Sequence, residues 1–203
     1  MNVPFLRRRV LQAASAAPLL APRWLAAAEP AGSVQDLRGE ATAEAGSQNR
    51  KLARDAAVFV GDTVVTAEQS AVALKLGQAT LIRLGPDTRL RIDRFLLKIG
   101  GVLELAKGAM MFEHDAAAGQ ENTAVRSPFG LLAVRGTRYF AGPSNNVFGV
   151  FVYSGEVLVV GRNVGVTVLP GMGTDIPKPG DEPTTPHHWS AERVKEAERR
   201  LLV

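Results

Sequence analysis

The sequence predicts an all-β fold in which short antiparallel strands form a sandwich or a rolled, solenoid-like sheet, with a short C-terminal helix. Three observations lead to this prediction. Short apolar runs alternate with turn residues at intervals of about ten over most of the chain. Residues 88–93 alternate between polar and apolar side chains, as expected for a strand with one wet face. The 20 glycines fall mostly between the apolar runs, where turns require a positive φ.

The first group of predicted strands lies between residues 57 and 93. Each apolar run ends at a pair or trio of turn residues, which favours strands joined by tight turns. In the clearest strand, Leu90 and Ile92 point toward the core and the charged residues around them point to solvent. The predicted strands are 58–60, 63–66, 71–76, 79–84 and 88–93, and the turns are 61–62, 77–78 and 85–87.

The second group lies between residues 102 and 169. Strand 148–153 is predicted to form a hairpin with strand 157–160 across a turn at 154–156, whose sequence is Ser-Gly-Glu. Residues 110–112, Met-Met-Phe, are predicted to fill the core. The other predicted strands are 102–105, 109–113, 131–134, 137–140 and 164–169.

A run of strand-forming residues is interrupted by Arg135, Gly136 and Thr137. A glycine inside a strand pattern often marks a bulge or a close backbone approach. A bulge would re-aim Arg135 and Arg138, so that an arginine pairs with a carboxylate of an adjacent strand. The alternative is an anion-binding site, which needs further donors that the sequence does not place nearby. We therefore predict a structural or interaction motif at Arg135, Gly136 and Thr137. Pro128 is predicted to lie at the start of the preceding strand.

The C-terminal segment, residues 172–203, is predicted to be a proline-rich linker followed by a helix. Residues 170–186 contain five prolines, which favours an extended linker or a strap over the sheet. Ser190 is a good N-cap for a helix over 191–202. Its narrow apolar stripe indicates docking on the same domain; the stripe is formed by Val194, Ala197 and Leu201.

Residues 1–28 have the organisation of an export signal. A basic start, an alanine- and leucine-rich stretch and a small-x-small cleavage site follow one another. Residues 7–12 resemble the twin-arginine export motif, with Arg7 and Arg8 as the pair. A membrane anchor is the alternative, but the segment is largely alanine and contains prolines and Arg23. We predict a cleaved signal, no stable membrane span after cleavage, and a periplasmic or secreted protein.

The basic charge of the chain belongs to the predicted signal. The formal net charge is +4 at pH 7, and residues 1–28 contain four arginines and no acidic residue. Residues 29–203 therefore have equal numbers of basic and acidic side chains, without the bulk electrostatic attraction that nucleic acid requires. Nucleic acid is not predicted as a partner.

No catalytic, cofactor-binding or metal-binding residues are predicted. The chain has no cysteine, which excludes disulfides, thiol catalysis and thiolate metal sites. His114, His187 and His188 lack metal-ligand spacing and are expected at the surface. Phosphate-loop and nucleophile-elbow motifs are absent from the sequence, and Glu104 and Glu113 are expected on solvated faces. The sequence predicts a protein that is not an enzyme.

An ordered set of motifs runs through residues 57–171. The set comprises Gly61-Asp62-Thr63-Val64-Val65-Thr66, the alternating segment 71–76, the segment 84–92, Leu105-Ala106-Lys107-Gly108, Ser127-Pro128-Phe129-Gly130, Val134-Arg135-Gly136-Thr137 and Tyr153-Ser154-Gly155-Glu156-Val157. In its order and spacing, this set resembles the FecR-type periplasmic domain known from the ferric-citrate signalling regulator.

The resemblance implies a strand-rich, non-enzymatic module outside the cytoplasm. In full-length regulators of that type, the module follows an anti-sigma segment and a transmembrane helix and relays the state of an outer-membrane iron receptor. Here an export signal is predicted in their place, so direct sigma-factor control by this chain is not predicted. The domains are then an export signal at 1–28, a polar segment with one edge strand at 29–56, a FecR-like β domain at 57–171, and the C-terminal segment.

We therefore predict an exported sensing or protein-interaction module, linked through the resemblance to iron-uptake signalling. Its partner is another envelope protein or a cell-surface polymer, contacted through strand edges; the oligomeric state is not predicted. One alternative is a carbohydrate- or envelope-polymer-binding scaffold, which would need exposed aromatic side chains. The other is an enzyme using Asp or Glu on a β scaffold, for which the sequence indicates no pair of carboxylates.

Overall fold

The computed structural model describes residues 29–96, 100–115 and 122–202. Within these ranges the chain forms strands and one short C-terminal helix, which confirms the predicted fold class. The strands are β1 (Pro30–Arg38), β2 (Ala41–Ala45), β3 (Gln48–Lys51), β4 (Ala57–Phe59), β5 (Thr63–Thr66), β6 (Ala71–Leu76), β7 (Thr80–Leu84), β8 (Arg89–Leu96), β9 (Gly100–Lys107), β10 (Met110–His114), β11 (Asn122–Ser127), β12 (Gly130–Ser144), β13 (Val147–Gly161), β14 (Val164–Val168), β15 (Met172–Ile176) and β16 (His187–His188), and the helix is α1 (Ala191–Arg199).

The described strands form one open, mixed sheet. Its order is β3-β2-β5-β8-β9-β11-β12-β10-β7-β6-β1-β4; β13 pairs with β12, β14 and β15, and β16 pairs with β15. The paired strands described here are antiparallel, apart from the parallel pair β9 and β11. We call β2, β3, β5, β8, β9, β11 and β14 half-sheet A, and β1, β4, β6, β7, β10, β15 and β16 half-sheet B.

Strands β12 and β13 are long enough to run through both half-sheets. Residues 130–135 of β12 lie between β11 and the last part of β13. Residues 138–141 of β12 lie between β10 and the first part of β13. The register of the β12–β13 pair shifts between these two parts, so the connection bends there.

Side chains from both half-sheets form one hydrophobic cluster. Leu90 and Ile92 of half-sheet A are fully buried in it, as predicted. From half-sheet B, Met110 and Phe112 enter the same cluster, and the Phe112 ring lies 5.4 Å from that of Tyr139. Because both half-sheets bury residues in one cluster, they pack face to face across it, which is the arrangement of a sandwich.

The hairpin predicted across residues 154–156 is wrong. β13 runs through this stretch without interruption, and both of its parts pair with β12. Gly155 has a φ of +76° and lies against Gly136 of β12, so its special conformation belongs to a bend rather than a turn. The hairpin turns next to β13 are residues 145–146 and 162–163, where both residues have positive φ.

The N-terminal segment 29–56 contains three strands rather than one edge strand. β1 lies inside the sheet between β4 and β6, and β2 lies between β3 and β5. Val34 and Ala43 of these strands are fully buried. Small alanine side chains make the segment look polar on average, although alternate positions face the core.

The predicted C-terminal linker is partly a strand. β15 pairs with β13 over Phe148–Phe151, so residues 172–176 belong to the sheet. The proline-rich stretch after it lies against the protein, because Thr184 donates a backbone hydrogen bond to Asp175 and Pro183 is buried. This part of the segment matches the strap alternative.

Helix α1 begins where the sequence predicts and packs on the outer face of half-sheet B. The Ser190 hydroxyl accepts a hydrogen bond of 3.2 Å from the Arg193 amide, which caps the first turn. Ala197 and Leu201 are buried, with Val194 packed beside them, so the predicted stripe docks on its own domain. Within the described residues, no helix has the length and apolar character needed to cross a membrane.

Candidate interaction surface

The predicted motif at Arg135, Gly136 and Thr137 lies at the bend of β12. Gly136 has a φ of +59°, and the β12–β13 register skips from Arg135 to Arg138 around it, which confirms the predicted bulge. Thr137 is buried, and its hydroxyl has no hydrogen-bond partner among the described residues. Pro128, where a strand was predicted to begin, lies instead in the turn after β11, and β12 begins at Gly130.

Arg138, just after the bulge, makes the predicted arginine–carboxylate contact. Its Nε lies 3.9 Å from Glu113 on β10, and Glu113 also pairs with Arg83 at 3.0 Å. The Arg138 guanidinium lies over the Tyr153 ring, 4.9 Å from its centroid. Burial raises the pKa of the Tyr153 phenol, and Glu198 raises it further, while Arg138 lowers it. These contacts stabilise the bend, which supports a structural role for this part of the motif.

The histidines are placed differently from one another. His187 and His188 are exposed, as expected. His114 is buried, and its Nδ1 lies 3.0 Å from the Thr80 hydroxyl, so the prediction of a surface histidine is wrong there. In the part of the chain that the structure describes, no three His, Asp or Glu side chains form a group that could hold a metal ion.

The outer face of half-sheet A presents two rows of side chains across β11, β12, β13 and β14. The strand register aligns the first row, and small or apolar residues dominate it. The second row lies beside it along the strands. The first row is Ala124, Ala133, Leu158 and Thr167, and the second is Arg126, Leu131, Val160 and Gly165.

A shallow groove crosses this face. Its volume is about 420 Å³, and it is lined by Thr123, Ala124, Ala133, Val134, Glu156, Leu158 and Thr167. Leu158 is 43% exposed and Leu131 is 37% exposed, although both lie in the middle of the sheet. The small alanines beside Leu158 form the groove floor, and Arg126 and Glu156 are exposed at its margins. We call these two rows and the groove the half-sheet A face.

The opposite outer face, on half-sheet B, is covered by the chain itself. Met111, Phe140 and Phe151 point outward there and are buried under Trp189 and α1. The two outer faces therefore differ in exposure. The C-terminal segment covers the apolar side chains of half-sheet B, whereas those of half-sheet A stay exposed. The half-sheet A face is therefore the candidate interaction surface.

Sequence reasoning missed this surface, although a signal for it exists. Val157, Leu158, Val159 and Val160 are apolar without alternation, whereas a strand with one wet face alternates. A continuous apolar run in an antiparallel sheet indicates that both faces are apolar. The predicted export pair Arg7 and Arg8 lies outside the described residues.

The half-sheet A face lies largely within a stretch that matches a known family. Residues 62–158 match the model described as FecR protein. The FecR match begins at Asp62, a buried carboxylate that accepts hydrogen bonds from the Phe59 amide and the Arg50 guanidinium. It ends at Leu158 in the groove, so β14 lies beyond it. No curated protein sequence matches this chain.

Two crystal structures of a candidate anti-sigma factor from Parabacteroides distasonis ATCC 8503 are similar to this chain. They superpose with TM-scores of 0.55 and 0.54 at 17% and 16% sequence identity. Each alignment covers 66% of this chain and 62% of the other, so this chain spans less than two thirds of the length of those proteins. At this identity the likeness shows a shared fold.

Proposed function

We propose that this chain is an exported, non-enzymatic FecR-type module that takes part in signalling by binding another protein of the cell envelope. The single observation that supports this most strongly is the uncovered half-sheet A face. Most of this face lies within residues 62–158, the stretch that matches the FecR model. A likeness in fold to a candidate anti-sigma factor supports a regulatory role.

The chemistry of the face fits a protein partner. Leu158 and Leu131 are large apolar side chains exposed on the neighbouring strands β13 and β12, and apolar residues grouped on one exposed face commonly mark an interaction site. Around them lie Arg126 and Glu156, so an apolar centre has a charged margin. Protein interfaces commonly have this arrangement.

The finer form of the proposal is that the partner belongs to an iron-uptake signalling system. It rests on the resemblance to the ferric-citrate regulator.

A carbohydrate partner has no comparable support, because Trp189 and Tyr139 are buried and Tyr153 lies half-buried under Arg138. Sugar binding commonly uses exposed aromatic faces.

Export is tested with the double substitution Arg7→Lys and Arg8→Lys. Since the pair resembles the twin-arginine motif, the variant is expected to stay in the cytoplasm with its leader uncleaved. Cell fractionation and the mass of the mature N-terminus measure this. Equal export of variant and wild type would contradict the twin-arginine form of the proposal.

Partner binding is tested by placing a photo-crosslinking amino acid at Leu131 in cells. We expect a crosslink to one envelope protein, and we expect the substitution Leu158→Asp to reduce its yield by about tenfold or more, because a carboxylate is then buried in an apolar contact. Since Leu158 is 43% exposed, the variant should fold normally, which circular dichroism checks.

The matched control places the same crosslinker at Gln48, an exposed position on β3 at the far side of half-sheet A. No specific crosslink is expected there. Equal labelling from both positions, or a Leu131 crosslink unaffected by Leu158→Asp, would show that the half-sheet A face is not the binding surface.

A further inference from the structure

The edge strand β14 differs from the other edges of the sheet. In the described part of the chain, β3, β4, β14 and β16 each pair on one side. β3 is polar and ends in Arg50 and Lys51, β4 has three residues, and β16 has two. Charge and shortness protect such edges from pairing with other chains. β14 has five residues, Val-Gly-Val-Thr-Val, without charge or proline.

The turn before β14 determines which of its backbone groups point outward. Arg162 and Asn163 form a two-residue turn with φ of +41° and +66°, so Gly161 and Val164 form the hydrogen-bonded closing pair of the hairpin. Hydrogen-bonded pairs alternate along an antiparallel ladder, so Val164, Val166 and Val168 direct their backbone groups to β13. The N–H and C=O groups of Gly165 and Thr167 therefore face away from the sheet. The backbone hydrogen bonds described elsewhere in the chain do not involve them.

We propose that β14 joins two copies of this chain into a symmetric dimer by antiparallel pairing about Val166. When Val166 of one chain lies opposite Val166 of the second, Gly165 of each chain lies opposite Thr167 of the other. Both residues direct their free backbone groups outward, so each such pair exchanges two hydrogen bonds and the interface has four. A twofold interface requires one surface patch to complement itself, and this register satisfies that requirement.

The side chains that face each other across the two copies also fit together in this register. Thr167 meets Gly165 of the second copy on the outer face, where the glycine leaves room for the larger side chain. Val164, which is 38% exposed, meets Val168 of the second copy at the open edge of the core.

The dimer would extend the candidate interaction surface. Because Thr167 meets Gly165 of the second copy, the first row of the half-sheet A face continues into the second row of the other chain. Two grooves, each containing a Leu158, would then lie on one continuous sheet. The proposed dimer does not depend on the proposed function, since β14 pairing uses backbone groups that the groove leaves free.

The first test is a cysteine crosslink in the purified full chain, which has no cysteine of its own. In the variant Val166→Cys the two Cα atoms would be about 4.5 Å apart, within the range of a disulfide. In the control Val164→Cys they would lie roughly 14 Å apart along the strands, too far to bond. Mild oxidation should therefore convert Val166→Cys, and not Val164→Cys, to a reducible dimer.

The second test uses sedimentation equilibrium. Thr167→Pro removes an outward N–H and leaves the β13 ladder intact, so the dimer dissociation constant should rise by about tenfold or more. Thr167→Ala retains the N–H and should dimerise like the wild type.

A wild type that stays monomeric at high concentration would overturn the proposal, as would crosslinking of both cysteine variants. A monomer that captures a strand of a different protein on β14 would also overturn it. Leu158→Asp should leave the dimer unchanged, so failure of the dimer and failure of the proposed function are distinguishable.

Discussion

Replacing Trp189 with alanine is expected to lower the free energy of unfolding by about 3–5 kcal/mol. The indole is 8% exposed, and its ring lies 6.2 Å from that of Phe140 and 5.3 Å from that of Phe151. Glycines beneath it allow this close approach: a Cβ at Gly149 would lie 2.6 Å from the indole, and one at Gly173 would overlap its Nε1. The backbone of two paired strands cannot move into the vacated space, so a cavity remains.

Loss of the Trp189 indole should also weaken the packing of helix α1 on the sheet. The Arg193 guanidinium lies 3.5 Å from the centroid of the indole ring and donates hydrogen bonds of 2.6 and 3.1 Å to Asp175. Without the indole, one face of this ion pair opens to solvent, and the helix loses its contact with half-sheet B. Equilibrium denaturation measures the stability, and hydrogen exchange of the helix amides measures the loosening.

Two controls separate this packing effect from others. Trp189→Phe keeps an aromatic ring, and the indole Nε1 has no hydrogen-bond partner among the described residues, so less than half of the alanine effect is expected. Leu202→Ala removes a side chain that is 58% exposed and should change stability by less than about 0.5 kcal/mol. An alanine effect below about 1 kcal/mol at Trp189 would contradict the packing argument.

Gly155→Ala is expected to cost about 2–4 kcal/mol, since it combines backbone strain with a steric overlap. The φ of Gly155 is +76°, where a Cβ is disfavoured. The added Cβ would also lie 2.6 Å from both the Gly136 carbonyl oxygen and the Thr137 Cγ2. Those atoms form the bulge that faces it on β12, so neither strand can shift without disturbing the bend between the half-sheets.

Gly46→Ala is the matched control. Gly46 has a φ of +58°, but a Cβ there would meet nothing within 4 Å. It therefore reports the backbone strain alone, for which about 1–2 kcal/mol is expected. Thermal and chemical denaturation of both variants give the comparison. If Gly155→Ala were no more destabilising than Gly46→Ala, the close approach of β12 and β13 at the bend would be wrong.

Local patterns predicted the elements whose signals lie within a few residues. The alternation at Leu90 and Ile92 predicted their burial, and Ser190 predicted the start of α1. Gly136 predicted a bulge because it interrupts a strand pattern. In each case the required φ or the side-chain direction is decided by neighbouring residues, so distant contacts are not needed to recognise it.

A glycine in the sequence does not show which local structure it forms when a turn and a bend within a strand both require a positive φ. Gly155 suits a hairpin turn or a bend equally well, and the pairing of β13 with β12 on both sides of it shows that it lies at a bend. His114 is polar and near a strand end, but its buried hydrogen bond to Thr80 depends on how β7 and β10 align. The half-sheet A face was missed for the same reason, because exposure of Leu158 depends on which outer face the C-terminal segment covers.

The amino-acid sequence is enough to predict that this chain forms strands separated by glycine turns and a capped C-terminal helix, because turns, bulges and caps depend on local backbone preferences. The folded structure is needed to see that β12 and β13 bend across two half-sheets, that Trp189 and α1 cover one outer face, and that β14 is an edge among the described strands. These features arise from contacts between residues far apart in the chain, and local residue preferences contain no information about such pairings.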